Sequence, residues 1–249
     1  MLPSTKPQQP STDPRVPAVC NGDKLPILLV YLLNQLSKAI IAQLITETGA
    51  KPDTATPLGL LVAQVFSLPD FSFRGATLID ILMAKYRVVC PVLWGISGND
   101  KTNEGRARLG WWKEEDEFVT EEVHNSRMTG LGAGWAAICL RNFSKSKNKS
   151  PWPVWHYWQS LSLITSTSSA QASNTHYIVL KAMLEGSEKA FVNFYGSMAI
   201  MAMQIAMLHF PARAIKQTAA SLSLTVLADK LLRDENFDLA NYSGKKQGI

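Results

Sequence analysis

The sequence predicts an all-α fold of stacked antiparallel helix pairs, an α-solenoid, and three observations lead to it. No segment alternates with the period of a strand over a useful length. Apolar residues recur instead at helical spacing, in runs of roughly 15 to 25 residues joined by short connectors, which suits antiparallel neighbours packed side by side. The third observation is the stretch RMTGLGAGWAAICLRNFSKSKNK at 127–149, which joins a glycine-spaced apolar helix to a basic exit. Gly130 and Gly134 fall on one helical face, where a missing Cβ lets a neighbouring backbone come close. Leu131, Trp135 and Ile138 make the adjoining apolar stripe. Glycines cost helix propensity, about 1 kcal/mol each relative to Ala, so packing must hold this helix and place it at the centre. Reading GLGAG as a dinucleotide-binding turn would need a preceding apolar strand, and VTEEVHNSRMT is polar. No fixed sequence repeat accompanies the pattern, so the solenoid rests on packing logic.

Taken in order, residues 1–21 are a Pro-rich lead without the apolar core of a signal peptide, and are expected to be disordered. One helical domain is expected over 22–233, and a flexible tail over 234–249. DKLPILLVYLLNQLSKAIIAQLITETG predicts a six-turn helix, with Asp23 as N-cap, Pro26 in the first turn and Gly49 as its stop. A membrane span is not expected here, because Asn34, Gln35, Ser37, Lys38 and Gln43 interrupt the run. KPDTATP reads as a connector, and PLGLLVAQVFSL as a short helix ended by Pro69. In GATLIDILMAKYRVVCP, residues Leu78, Ile79, Leu82 and Met83 face the core, and Lys85 and Arg87 gather at the C-terminal end.

From Trp94 to Glu122 come glycines, basic residues and then acids, and the first part reads as an ordered loop whose Trp111, Trp112 and Lys113 serve packing or a ligand. The acids, Glu114 to Glu117 with Glu121 and Glu122, concentrate ahead of the central helix as solvated dipole partners. Trp152, Trp155, Tyr157 and Trp158 read mainly as core, and His156 as a structural histidine. Ser173 or Asn174 caps a helix ending at Gly186, Ser187 opens an interior helix apolar almost all round, and an amphipathic helix follows from Ala212.

Composition narrows the function. The chain carries 25 Lys plus Arg against 20 Asp plus Glu, a net charge of +5, which is modest for a nucleic-acid binder. Cys20, Cys90 and Cys139 are scattered without a CxxC pair, which points to buried thiols in a reducing compartment and to no metal site. GxSxG, HExxH and the phosphate-binding GxxxxGK motif are all missing, so no catalytic residues are assigned and an enzyme is not expected. Above background stand only the cations Lys38, Lys85, Arg87, Lys113 and Arg127. Spacing alone reads them as ordinary surface charge. A polyanion site would require them to converge from different elements.

RMTGLGAGWAAICLRNFSK, followed by WHYWQSL, SNTHYIVLKAMLE and FYGSMA, resembles the C-terminal domain of the GLE-one family, the mRNA export mediators of the nuclear pore, in fungal form. LSKAIIAQ, ATPLG, LMAKYRVVCP and EGRARLGW extend the similarity in order over roughly 22–233. The resemblance implies a HEAT-like, MIF4G-like helical-repeat domain that is not itself an enzyme. It implies activation of a DEAD-box RNA helicase at the cytoplasmic face of the pore, between nucleus and cytoplasm, with inositol hexakisphosphate bridging the two proteins. A nucleoporin peptide and translation initiation and termination factors are further implied partners. It also implies that a long coiled-coil region and the domain's first helix lie outside this chain.

Carried over by position, the inositol phosphate site would use Lys38 in LSKAIIAQ, Lys85 in MAKYR and Arg127 in NSRMTG. Lys113 stands one residue beyond the family's basic position, because this chain reads GWWK. Val88 and Val89 occupy positions where fungal members often carry two basic residues, and Arg87 is expected to compensate. The alternative function is a helical scaffold that binds a nucleoporin peptide or translation factors without stimulating an ATPase. A third reading is single-strand RNA binding by Arg141, Lys145, Lys147 and Lys149 with the nearby tryptophans. The shortness of that run, and a core role for the aromatics, weigh against it; sequence-specific nucleic-acid recognition is not expected.

Overall fold

The computed structural model describes residues 24–235. The Pro-rich lead, Cys20, the capping role of Asp23 and the C-terminal tail lie outside the described residues. Within them the chain is helical, running through α1 (Ile27–Gln43), α2 (Ala55–Phe66), α3 (Asp80–Val89), α4 (Asn103–Arg108) and α5 (Glu121–Cys139). It continues through α6 (Trp155–Thr165), α7 (Asn174–Leu184), α8 (Glu188–Tyr195), α9 (Ser197–Gln204), the single turn α10 (Phe210–Ala212) and α11 (Ala219–Glu235). Two antiparallel hairpins amend the strand-free expectation: β1 (Ser72–Phe73) with β2 (Ala76–Thr77), and β3 (Lys113–Glu114) with β4 (Glu117–Phe118). Their two-residue strands are too short to show a period of two. Their turns place Arg74 and Gly75, and Glu115 and Asp116, at positive φ.

Pro26 takes the N-cap position of α1, and the helix runs through a π turn at Leu44–Thr48 as far as residue 50. Gly49 therefore does not stop it. Gly49 keeps helical dihedrals, and its missing Cβ makes room for Ser126 of α5, whose carbonyl oxygen would lie 2.7 Å from a side chain there. The helix from Ile27 to Thr48 is long and apolar enough to cross a membrane by composition. Leu33, Ser37, Ile40, Ile41, Leu44 and Thr48 instead form a buried stripe, and the helix packs against α3 and α5.

The central position expected for the glycine-spaced helix is where α5 lies, packed on α2, on the π turn and on α7. Thr120 caps it by accepting a hydrogen bond from the Val123 N–H at 3.4 Å, so Glu121 and Glu122 sit in its first turn. The other acids, Glu114 to Glu117, belong to the β3–β4 hairpin and not to a helix start. Gly130 and Gly134 both face Leu44 of the π turn, while Gly132 faces α7 at Val179. From α3, the Tyr86 hydroxyl donates to the Leu131 carbonyl at 2.6 Å in the core. Trp135 closes the cluster with Tyr86, Trp94 and Trp152, ring centroids 5.4, 5.1 and 5.9 Å away. Truncating so large a buried ring typically costs about 3–5 kcal/mol, so this cluster anchors the stack. Cys90 and Cys139 are buried free thiols whose ionisation burial pushes up.

Beyond α6, Ser173 and His176 form a capping box at the start of α7, which packs between α5 and α11. The interior helix expected from Ser187 is broken at Gly196, whose φ of 55° and ψ of −131° separate α8 from α9. Met198, Met201 and Ile205 are about half exposed, so this stretch is not apolar on buried faces alone. The final helix begins at Ala219, after a loop, and not at Ala212.

Candidate functional site

The C-terminal half of α1 with the π turn that follows it, one face of α3 along its length and the second turn of α5 meet around one open cleft of about 780 Å³. Lys38 reaches it from α1, Lys85 from α3 and Arg127 from α5. Asn34, one turn before Lys38, adds an amide, which in the sequence stands out only as an interruption of the apolar run. Among the residues lining the cleft there is no acid. Ile41, Ile45, Ile81, Val88, Val89 and Trp112 supply the remaining walls, so the cleft is cationic at three points and apolar between them.

Arg127 is the best-built of the three. Its guanidinium lies 5.6 Å from the centre of the Trp112 ring, and its Nε is buried with no hydrogen-bond partner. Burial makes the charged form harder to keep, and the nearby Glu114 carboxylate opposes that effect. One turn earlier, His124 is fully buried, stacked on Trp111 at 4.1 Å and hydrogen-bonded through Nε2 to the Thr175 hydroxyl at 2.9 Å. Burial, and then the charges of Arg127 and Arg106, push its pKa down to about 3. The imidazole is therefore neutral at physiological pH and adds no charge beside Arg127.

Two of the cations singled out in the sequence do not line this cleft. Arg87 is exposed and absent from its walls. On a helix it stands two residues from Lys85, about 200° around the axis, whereas Ile81, Val88 and Val89 stand four before, three after and four after Lys85 and share its face. Arg87 thus does not join the two valines on the cleft face. Lys113 points along β3 to the Phe118 ring, 5.0 Å from its Nζ, while the preceding Trp112 takes the cleft. Adjacent residues of an extended segment face opposite ways, so the extra tryptophan of GWWK turns lysine out and an indole in.

An organic polyphosphate fits this donor set in part. Three cations with no acid among the lining residues, and an unpartnered guanidinium N–H, suit phosphate oxygens. The isoleucines, valines and Trp112 would meet the inositol ring edge or stay dry, and they offer phosphates nothing. Among the described residues, no group of three or more His, Cys, Asp and Glu side chains is placed to hold a metal ion.

Fold and cleft together define a helical-repeat domain that presents a cationic cleft between chain-distant helices. Its sequence matches the family model of GLE1-like proteins over residues 2–207, and the chain belongs to that family. It is 52% identical over 230 residues to the mRNA export factor GLE1 of Chaetomium thermophilum, which covers 91% of this chain and 44% of that protein. It is 27% identical over 173 residues to the mRNA export factor GLE1 of Saccharomyces cerevisiae, covering 68% of this chain and 31% of that one. The chain thus spans less than half the length of the curated relatives it matches. Among solved structures, a complex described as the S. cerevisiae Dbp5 C-terminal domain bound to Gle1 and IP6 matches with a TM-score of 0.72 and 23% identity. That match covers 83% of this chain and 69% of the solved one, and it shows the fold to be shared.

Proposed function

We propose that this domain is a non-catalytic mRNA export factor at the nuclear pore, which binds and stimulates a DEAD-box RNA helicase at the pore's cytoplasmic face. Inositol hexakisphosphate would be held by Lys38, Lys85 and Arg127, with the Asn34 amide beside them. The observation that carries this reading is the convergence of three cations, from helices far apart in sequence, on one cleft without an acid. Family membership and the relatives' name as mRNA export factors support the biological setting. When bound, the polyanion would supply negative charge between two basic surfaces. Its free phosphates would remain available to cations of the helicase, because the apolar walls Val88, Val89 and Trp112 leave part of its charge unmatched.

Stimulation of an ATPase by a binding protein requires unequal affinity for the conformations of the cycle, since equal binding to both shifts neither. A tenfold acceleration limited by opening of the helicase lobes corresponds to about 1.4 kcal/mol of preference for the open form, which a rigid solenoid edge can supply. The test is RNA-stimulated ATP turnover of the cognate helicase with and without this chain and inositol hexakisphosphate. Stimulation that needs both supports the reading. Stable binding with unchanged turnover would assign the domain instead to the scaffold class, docking a nucleoporin peptide or translation factor.

A further inference from the structure

The loop between α5 and α6 carries a second cationic feature that the cleft does not use. Between Glu122 and Glu185 the sequence contains no Asp or Glu. Inside that acid-free span, Lys145, Lys147 and Lys149 are exposed and enter no ion pair. Arg141 is a different case: its Nε and a terminal nitrogen donate to the carbonyls of Ala137 and Thr56 at 2.6 and 2.7 Å, anchoring the loop. It also shares a groove with Asp53 and Glu185, so it is not counted with the free cations.

Directly after the lysines comes a built stack of rings. Trp152 lies on His156 with centroids 3.6 Å apart and planes within 6°, and Trp155 covers the other side of the imidazole at 3.5 Å and 30°. Trp152 is tied in turn to Trp135 of the core, so the stack grows out of the protein's centre. Its outermost member, Trp155, is 52% exposed. An indole held rigid on one face and open on the other loses little freedom when a flat ring lands on it. Of the aromatics expected in the core, Tyr157 and Trp152 serve it and Trp155 does not.

We infer that this loop and stack form a contact site for single-stranded RNA, with an unpaired base on the open face of Trp155 and Lys145, Lys147 and Lys149 on the flanking phosphates. Bases present a π face whatever their identity, so the site would grip single strands with little sequence preference. An anionic membrane is the other surface that attracts lysines and tryptophan, but it needs an apolar stripe to insert. Helix α6 does not supply one: Tyr157, Leu161 and Ile164 are buried in the core and Trp158 is half-buried, which leaves Leu163 as its one other exposed large apolar side chain, two turns from Trp155.

The experiment is fluorescence anisotropy of a labelled single-stranded uridine oligomer titrated with the full chain at several salt concentrations. Three phosphate contacts predict a slope of log affinity against log salt near −2, or about a 15- to 20-fold loss between 50 and 200 mM. The variant K145Q/K147Q/K149Q should flatten the slope by about 2, with no change in the thermal melt. Trp155→Ala should weaken binding about 5- to 150-fold at unchanged slope, and Trp155→Phe should restore most of it. K85Q/R127Q should bind the oligomer as the wild type does, which separates this site from the cleft. Equal affinity for duplex and single-stranded RNA, loss of RNA binding in the cleft variant, or binding of phosphatidylserine vesicles but not of RNA would each overturn the inference.

Discussion

Gly130→Ala is the sharpest test of how the central helix is seated. A Cβ at this position would overlap the carbonyl oxygen of Leu44 in the π turn and lie 2.8 Å from the Gly49 nitrogen. Both obstacles are backbone, so no side chain can swing aside. Propensity alone favours the change by about 1 kcal/mol, because Ala is the better helix former. Against that, α5 must retreat from α1 by a sizeable fraction of an ångström, and overpacking of this kind typically costs about 1–3 kcal/mol. The retreat also loosens two contacts made by the same turn of α5, namely Leu44 against Gly134 and the 2.6 Å hydrogen bond from Tyr86 to Leu131. That bond contributes about 1 kcal/mol more. The expected net is a destabilisation of about 2 kcal/mol, read as a fall in melting temperature of about 4–8 °C for a domain of this size. Gly75→Ala is the reference, since nothing lies within 4 Å of its Cβ position and only its φ of 80° is strained. Thermal and urea unfolding decide the matter. A Gly130→Ala protein at least as stable as the wild type would mean that helix propensity governs this position and that the close approach of α5 to α1 is wrong.

Acid should destabilise the fold through two buried histidines and one half-buried one. His124 has its pKa depressed to about 3, and His156 and His176 to about 4, each mainly by burial. The unfolded chain therefore binds more protons between about pH 6.5 and these values, so stability is fully present above about pH 6.5 and is lost as pH falls toward 3. His124 alone accounts for on the order of 3–5 kcal/mol over that window, and His124→Gln should flatten the pH dependence of urea midpoints; an unchanged profile would refute the assignment. At the cleft, Val88→Lys with Val89→Lys should strengthen inositol hexakisphosphate binding by about 5- to 10-fold. Exposure of Val88 screens the added charge, which keeps the gain to about 1 kcal/mol. No gain in a titration at constant ionic strength would show that the α3 face of the cleft does not meet the polyanion.

Much of the helical architecture was legible because its signals are local. Ser173 reads as a cap from residue type, and it caps α7 with His176. The glycines of α5 read as close contacts, since their cost to propensity needs a tertiary reason. Gly49 shows where the same residue type misleads: a glycine after an apolar run reads as a stop, but here it is the partner in a helix crossing. Gly196 misled in the opposite direction, since the apolar pattern continues across it and only the backbone dihedrals show the break. The cleft was legible only through resemblance, because the convergence of Lys38, Lys85 and Arg127 depends on how three helices pack. The exclusion of Arg87 was within reach of helical geometry alone, being two residues from Lys85, and the outward turn of Lys113 needed the hairpin. Asn34 gave no signal beyond being polar in an apolar helix.

The central claim is that a polyanion sits among Lys38, Lys85 and Arg127, and isothermal titration calorimetry of inositol hexakisphosphate against wild type and K85Q/R127Q tests it most directly. Charge-assisted contacts are worth about 1.5–3 kcal/mol each, and partial exposure of Lys85 discounts its share. One site per chain is expected, with a loss of about 30-fold or more in the double variant and an unchanged melting temperature in the absence of ligand. Equal affinity in the two proteins would contradict it.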